Sequence, residues 1–241
     1  MVKVHTRSGL AVLIPIKSFD TAKGRLHESL SAPDRYRLAR ATAETVIAAG
    51  RGLDVFVICD DDVVAGWAAR RGAGVLREST RGLNPSVTAG VSTLEHRGYT
   101  SVIVAHGDLP LADDLRRIAG AAHASATADA PVAAGSGVDR SPSDSSGSTA
   151  ELEPFAGVTI VPDRHDDGSN VLVVPTGVGF VFSYGPGSFY RHRTEAARIG
   201  IACRVIRDPR LSIDLDTPDD LLHPLIQEAL PWLPTNPANQ R

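Results

Sequence analysis

The chain has 241 residues, 42% hydrophobic and 22% charged, with a formal net charge of −3. That length can bury a core without covalent staples, and the charge gives no global electrostatic case for nucleic acid or a membrane surface as a partner. The only cysteines, Cys59 and Cys203, lie in no CxxC or Cys/His spacing, which argues against a disulfide framework and a zinc site.

Met1–Gly9 is short and polar, and no apolar stretch is long enough to span a membrane, so a cytoplasmic protein is expected. Leu10–Ile16 is a continuous apolar run, as in a strand covered on both faces. A polar, basic loop from Lys17 to Ser31 follows, and Pro33 and Asp34 open a helix to Ala49, with Ser31 or Ala32 at its cap. Leu53–Asp60 is a second buried strand, Asp62–Arg71 a helix and "GAGVLRE" a short third strand. A helix is predicted from Pro85 to about His96, with Asn84 as N-cap and Pro85 at its first position. Ser101–Asp108 is the fourth strand, and Ala112–His123 the helix after it.

From about 124 to 154 the chain is rich in Ala, Ser, Gly, Pro and Asp, with too little apolar surface to order itself. It reads as a flexible insertion and not a boundary, because strands resume in "GVTIVP" and "VLVVP". A helix over Phe189–Ile199 and a strand in "ACRVIRD" follow. "SIDLDTPDDL" is expected to close the sheet and start a last helix, with Thr217 as N-cap and Pro218 at N1. A loose tail is expected from about 231. Alternating strands and helices predict one α/β domain over residues 1–241, with a mostly parallel central sheet and ligands at the carboxyl ends of its strands.

Three clusters can carry chemistry. Lys17, Lys23 and Arg25 sit in the loop after the first strand, the usual place for phosphates in such a sheet. They can neutralise a triphosphate, or simply form a solvated basic loop. No P-loop and no GxGxxG follows a strand. Asp108 stands in "HGDLP", and Asp214 and Asp216 in "IDLDTPDD". Carboxylates at the ends of different strands suit Mg²⁺, which takes one or two of them plus substrate phosphates. The plain alternatives are a turn-stabilising Asp108 and helix-terminal charge at Asp216. In an extended segment Asp214 and Asp216 project to the same side. His165, Asp166 and Asp167 read as a turn before Gly168. Arg191 and Arg193 follow Ser188 and either reach a ligand anion or form a solvated face.

"LIPIKSFDTAKGRL", "LNPSVTAG", "GDLP" and "DLDTPDDL", in this order, resemble the guanylyltransferases of coenzyme F-420 biosynthesis that act on 2-phospho-L-lactate or phosphoenolpyruvate. Each motif alone is weak; the four in order are fairly specific and cover nearly the whole chain outside the insertion and tail. The resemblance implies a three-layer α/β/α, glycosyltransferase-A-like nucleotidyltransferase fold. It implies that Lys17, Lys23 and Arg25 fold over the triphosphate of GTP, and that Leu83 and Asn84 line base and ribose. Asp108 matches the metal-binding aspartate, and Asp214 and Asp216 the second acidic pair, with Mg²⁺ as cofactor. Ser169, Gly185 and Ser188 match the acceptor-binding positions, although a Gly-Thr-Gly-Thr run common in the family is replaced here by Asp-Asp-Gly-Ser. Phosphoenolpyruvate is the first choice of acceptor, then 2-phospho-L-lactate, then 3-phosphoglycerate, with handover of the product to a downstream transferase. Alternatives are another nucleotidyltransferase, whose Gly-Gly loop is missing here, and a non-catalytic nucleotide-binding module.

Overall fold

The structure, a computed structural model, describes residues 9–79, 81–120 and 155–234. The insertion at 124–154, the end of the helix predicted to reach His123, and the first eight residues lie outside them. The strands are β1 (Leu10–Pro15), β2 (Asp54–Cys59), β3 (Gly74–Arg77), β4 (Ser101–Ala105), β5 (Val158–Pro162), β6 (Ser169–Pro175) and β7 (Cys203–Val205). The helices are α1 (Ala32–Ala49), α2 (Asp62–Ala69), α3 (Leu83–His96), α4 (Arg116–Ala119), α5 (Ser188–Arg198), α6 (Pro218–Leu221) and α7 (Pro224–Ala229).

The seven strands form one sheet in the order β3-β2-β1-β4-β6-β5-β7. Every pairing is parallel except those of β6, which runs antiparallel to both β4 and β5. Side chains alternate between the two faces. Val12, Ile14, Ile103 and Val171 meet α1, α2 and α4 on one side, through Val46, Trp67 and Ile118. Ala11, Leu13, Val104 and Leu172 meet α3 and α5 on the other, through Val91, Leu94 and Ala196. This is the expected three-layer α/β/α arrangement. No helix among the described residues is long and apolar enough to cross a membrane.

Five expectations are corrected. Among the described residues, the helix predicted over Ala112–His123 is only α4, Arg116–Ala119, and Gly120 after it is extended. Helix α3 starts at Leu83 with Gly82 as its cap, so Asn84 lies in the first turn. Its side chain is engaged elsewhere, as described below. Strand β4 ends at Ala105, and Asp108 sits in the turn after it. The segment around Asp214 adds no strand; Leu215 N–H donates to Asp108 O at 3.3 Å, outside any ladder. The chain is anchored past 231, because Leu233 is 3% exposed in a third apolar group.

Candidate active site

The third apolar group explains how the basic loop and the acidic segment meet. Leu26 and Leu30 from the loop pack with Ile213, Leu215, Leu221 and Ile226. Phe19 anchors the other end of the loop, edge-on to Trp67 at 4.9 Å and to Tyr36 at 5.8 Å. With these apolar side chains inward, Lys17, Ser18, Thr21 and Lys23 border a cavity of about 300 Å³. Burial alternates along the acidic segment: Ile213 and Leu215 are in the core, whereas Asp214 and Asp216 are half-buried on the other side. The period-two reading therefore holds without a strand ladder.

Lys23 is the centre of this contact. It caps a short 3-10 turn, Gly24–Leu26, and its backbone is left-handed (φ 58°), which costs a side-chain-bearing residue about 1 kcal/mol or more. That twist carries its side chain, 5% exposed, to Asp108 Oδ2 at 2.9 Å and Asp216 Oδ1 at 3.4 Å. Burial alone would lower the Lys23 pKa, but Asp108, then Asp216 and Asp214, hold it above its ordinary value. Burial would raise Asp108, but Lys23 and then His106 hold it below the ordinary carboxylate range. Asp214 is pushed up, first by burial and then by the negative charge of Asp108. Arg25, 75% exposed, reaches Asp216 Oδ2 at 3.2 Å. Lys17 is exposed, borders the cavity and makes no ion pair with a described residue.

Asp220 holds the acidic segment in place. It is 3% exposed and accepts hydrogen bonds from the backbone N–H groups of Asp216 (2.7 Å) and Thr217 (2.6 Å), and from Arg164. Burial would raise its pKa, yet these donors hold it below the usual range. In sequence it looks like a helix-terminal charge; its role as the clamp behind Asp216 shows only when Arg164 is brought to it.

These residues fit a magnesium ion. Asp108 Oδ1 is buried and has no hydrogen-bond partner among the described residues, although its Oδ2 takes Lys23. A carboxylate oxygen with free lone pairs beside phosphate-sized space suits a hard cation. Among the described residues no three His, Cys, Asp or Glu side chains form a ready-made cage. Mg²⁺ needs none, since it draws most of its ligands from phosphate and water.

The cavity is also lined by Leu83, His106, Gly107 and the small α1 residues Ala39, Thr42 and Ala43. Leu83 thus borders the space as expected. Asn84 does not line it: it accepts from Tyr184 N–H at 2.6 Å and donates to Tyr184 O at 3.4 Å. It ties α3 to the chain entering α5.

Ser169, Gly185 and Ser188 come together behind that clip, and none lines the cavity. Because β6 is antiparallel, its first residue, Ser169, lies at the edge where β4 ends. Asp167 accepts from Gly187 N–H at 2.9 Å and its carbonyl from Phe189 N–H at 3.0 Å, joining the predicted 165–168 turn to the start of α5. Gly185 and Gly187 have φ of 114° and 73°, which favour glycine there. Ser169 and Ser188 are each 1% exposed. His192 Nε2 accepts from Ser183 N–H at 3.0 Å, so its proton is on Nδ1, 3.0 Å from Ser169 Oγ. Ser169 therefore braces His192 and, through it, the 183–188 turn. Arg191 is spent on the carbonyls of Ser183, Gly185 and Pro186, and Arg193 lies over the Phe189 ring at 5.5 Å. Neither is aimed at the cavity, contrary to one reading of the sequence.

Fixed cations, carboxylates suited to a hard cation and room between them are what a nucleoside triphosphate requires, and here they stand at the carboxyl ends of parallel strands. With the three-layer fold this makes the protein a nucleotidyltransferase. Comparison with known proteins narrows the class. The family model described as "Guanylyl transferase CofC like" matches residues 10–138 and 148–228, and the chain belongs to that family. It is 30% identical over 215 residues to the phosphoenolpyruvate guanylyltransferase of Sphaerobacter thermophilus, covering 87% of this chain and 89% of that protein. It is 32% identical over 216 residues to the enzyme of the same name from Conexibacter woesei, covering 87% and 84%. A solved structure assigned to the nucleotide-diphospho-sugar transferases, from Desulfovibrio desulfuricans G20, superposes with a TM-score of 0.57 at 14% identity, covering 87% of this chain and 83% of that one, a likeness of fold.

Proposed function

We propose that the protein transfers GMP from GTP to phosphoenolpyruvate, giving enolpyruvyl-diphospho-guanosine and diphosphate, as a step of coenzyme F-420 biosynthesis. The observation that carries this reading is the likeness, over 87% of the chain, to relatives named phosphoenolpyruvate guanylyltransferase. A phosphate oxygen of the acceptor forms the new bond to the α-phosphorus, and the bond from that phosphorus to the bridging oxygen of the β-phosphate breaks. The acceptor is already ionised at neutral pH, so no strong general base is needed. The chain's contribution is positioning and charge.

Lys17, unpaired among the described residues, meets the outer phosphates. Lys23 and Arg25 neutralise the leaving diphosphate as they exchange carboxylate for phosphate partners. Leu83 packs against the nucleoside. The Ser169–His192 brace and the Gly185–Ser188 turn shape the acceptor side. Asp108, with Asp214 or Asp216, would hold magnesium, which when bound would supply charge neutralisation for the reacting phosphates. The substrates are small and soluble, so the setting is cytoplasmic, with neither membrane nor nucleic acid as a partner and with product passed to a downstream transferase.

The test is diphosphate release from GTP and Mg²⁺ with phosphoenolpyruvate, 2-phospho-L-lactate and 3-phosphoglycerate in turn, with the downstream transferase and its deazaflavin substrate present. Release with phosphoenolpyruvate alone is expected. Release only with another acid would reassign the acceptor, and GTP binding without turnover on any of them would favour a nucleotide-binding module.

A further inference from the structure

We infer that His106 is a further substrate-contacting residue, whose Nε2 binds an anionic oxygen of the phosphorylated acid acceptor. The inference deepens the proposed function and rests on it. His106 stands two residues before Asp108 and lines the same cavity. Its backbone N–H donates to Asn170 O at 3.1 Å, which fixes it to the start of β6. Its ring packs on Tyr184 at 5.0 Å. Tyr184 is itself held from three directions: Asn84 clips both its backbone groups, Phe182 stacks on it at 6.2 Å, and His192 meets it edge-on at 4.9 Å. The imidazole is therefore pre-positioned.

Its Nε2 nevertheless is buried and has no hydrogen-bond partner among the described residues. Buried polar atoms in folded proteins are rarely left so unless a ligand, ion or water completes them. Of the two buried side-chain polar atoms on cavity-lining residues that lack a partner among the described residues, Asp108 Oδ1 can only accept while ionised, whereas His106 Nε2 can donate. An oxygen of a phosphate or carboxylate is the complement. The ring lies against Tyr184, the residue that leads into the Gly185–Ser188 turn, so His106 stands where the cavity meets the chain entering that turn.

Two variants separate contact from packing. His106→Phe keeps a ring against Tyr184 and removes the donor; His106→Gln keeps a donor and removes the ring. In steady-state diphosphate release, His106→Phe is expected to raise the KM for the acid about tenfold or more. The KM for GTP should stay within about twofold, and His106→Gln should recover most of the loss. An unchanged acid KM in His106→Phe overturns the inference. So does a parallel rise of both KM values, or a failure of His106→Gln to recover what His106→Phe lost while melting like wild type. If wild-type enzyme uses 2-phospho-L-lactate instead, the choice of acceptor falls and His106 is judged by the same comparison on that acid. Wild-type enzyme inactive on every acid would overturn both.

Discussion

Replacing Lys23 with methionine removes the one ammonium that joins Asp108 to Asp216 and leaves the rest of the loop anchored by Phe19, Leu26 and Leu30. Methionine has a similar length and no greater difficulty with the left-handed backbone at this position (φ 58°), so the change reports mainly on charge. Lys23 is 5% exposed, while Asp108 and Asp216 are 26% and 41% exposed. Removing one partner of a fully buried pair costs roughly 3–5 kcal/mol; partial exposure of both carboxylates moves the expectation to about 2–3 kcal/mol. For a chain of this size that lowers Tm by roughly 4–12 °C.

The assay is thermal unfolding in EDTA near neutral pH, repeated with excess Mg²⁺. The deficit should be large in EDTA and shrink when magnesium is added, because a cation that shares the carboxylates with Lys23 should help the methionine variant more than wild type. Asp108 is held below its unfolded value near 3.8, so its contribution is present above that pH and lost as pH falls through the lower folded value. The difference between the two proteins should therefore fade below about pH 4. A Tm within about 2 °C of wild type in EDTA would refute the idea that Lys23 is the counter-charge of this site.

Asp108→Asn should keep the fold, with a stability loss of the same order as that of Lys23→Met, and lose at least about 100-fold in diphosphate release; normal turnover of GTP would show that its carboxylate is not needed. Asn84→Ala strands the N–H and C=O of Tyr184, so a loss of about 2 kcal/mol in denaturant unfolding is expected, and an unchanged midpoint would mean that water replaces the clip. His192 is pushed down to about 4, first by burial and then by the Arg191 charge. Its lowered pKa makes stability fall as pH drops from about 6.5 to 4, by up to about 3 kcal/mol. His192→Gln should flatten unfolding free energy over that window, and an equally steep curve would assign the acid loss to other groups.

The amino-acid sequence by itself determined the alternation of strands and helices, because continuous apolar runs and capping residues are local signals. The Thr217–Pro218 start of α6 and the inward Ile213 and Leu215 are legible for the same reason. It also marked Asp108, Asp214, Asp216 and the basic loop as candidate clusters, with a solvated loop, a turn and a helix-terminal charge as the plain alternatives. It could not give the direction of β6, since a strand covered on both faces carries no mark of its orientation, and that direction is what brings Ser169 to the edge of the site. Only the tertiary structure joined Lys23 to carboxylates 85 and 193 residues away, through apolar neighbours that draw loop and acidic segment into one core. It likewise moved Asn84 from helix cap to the clip on Tyr184, and set the Ser169 hydroxyl against His192. A polar side chain can be satisfied by water, by its own helix or by a distant partner, and which of these prevails depends on what packing brings within reach.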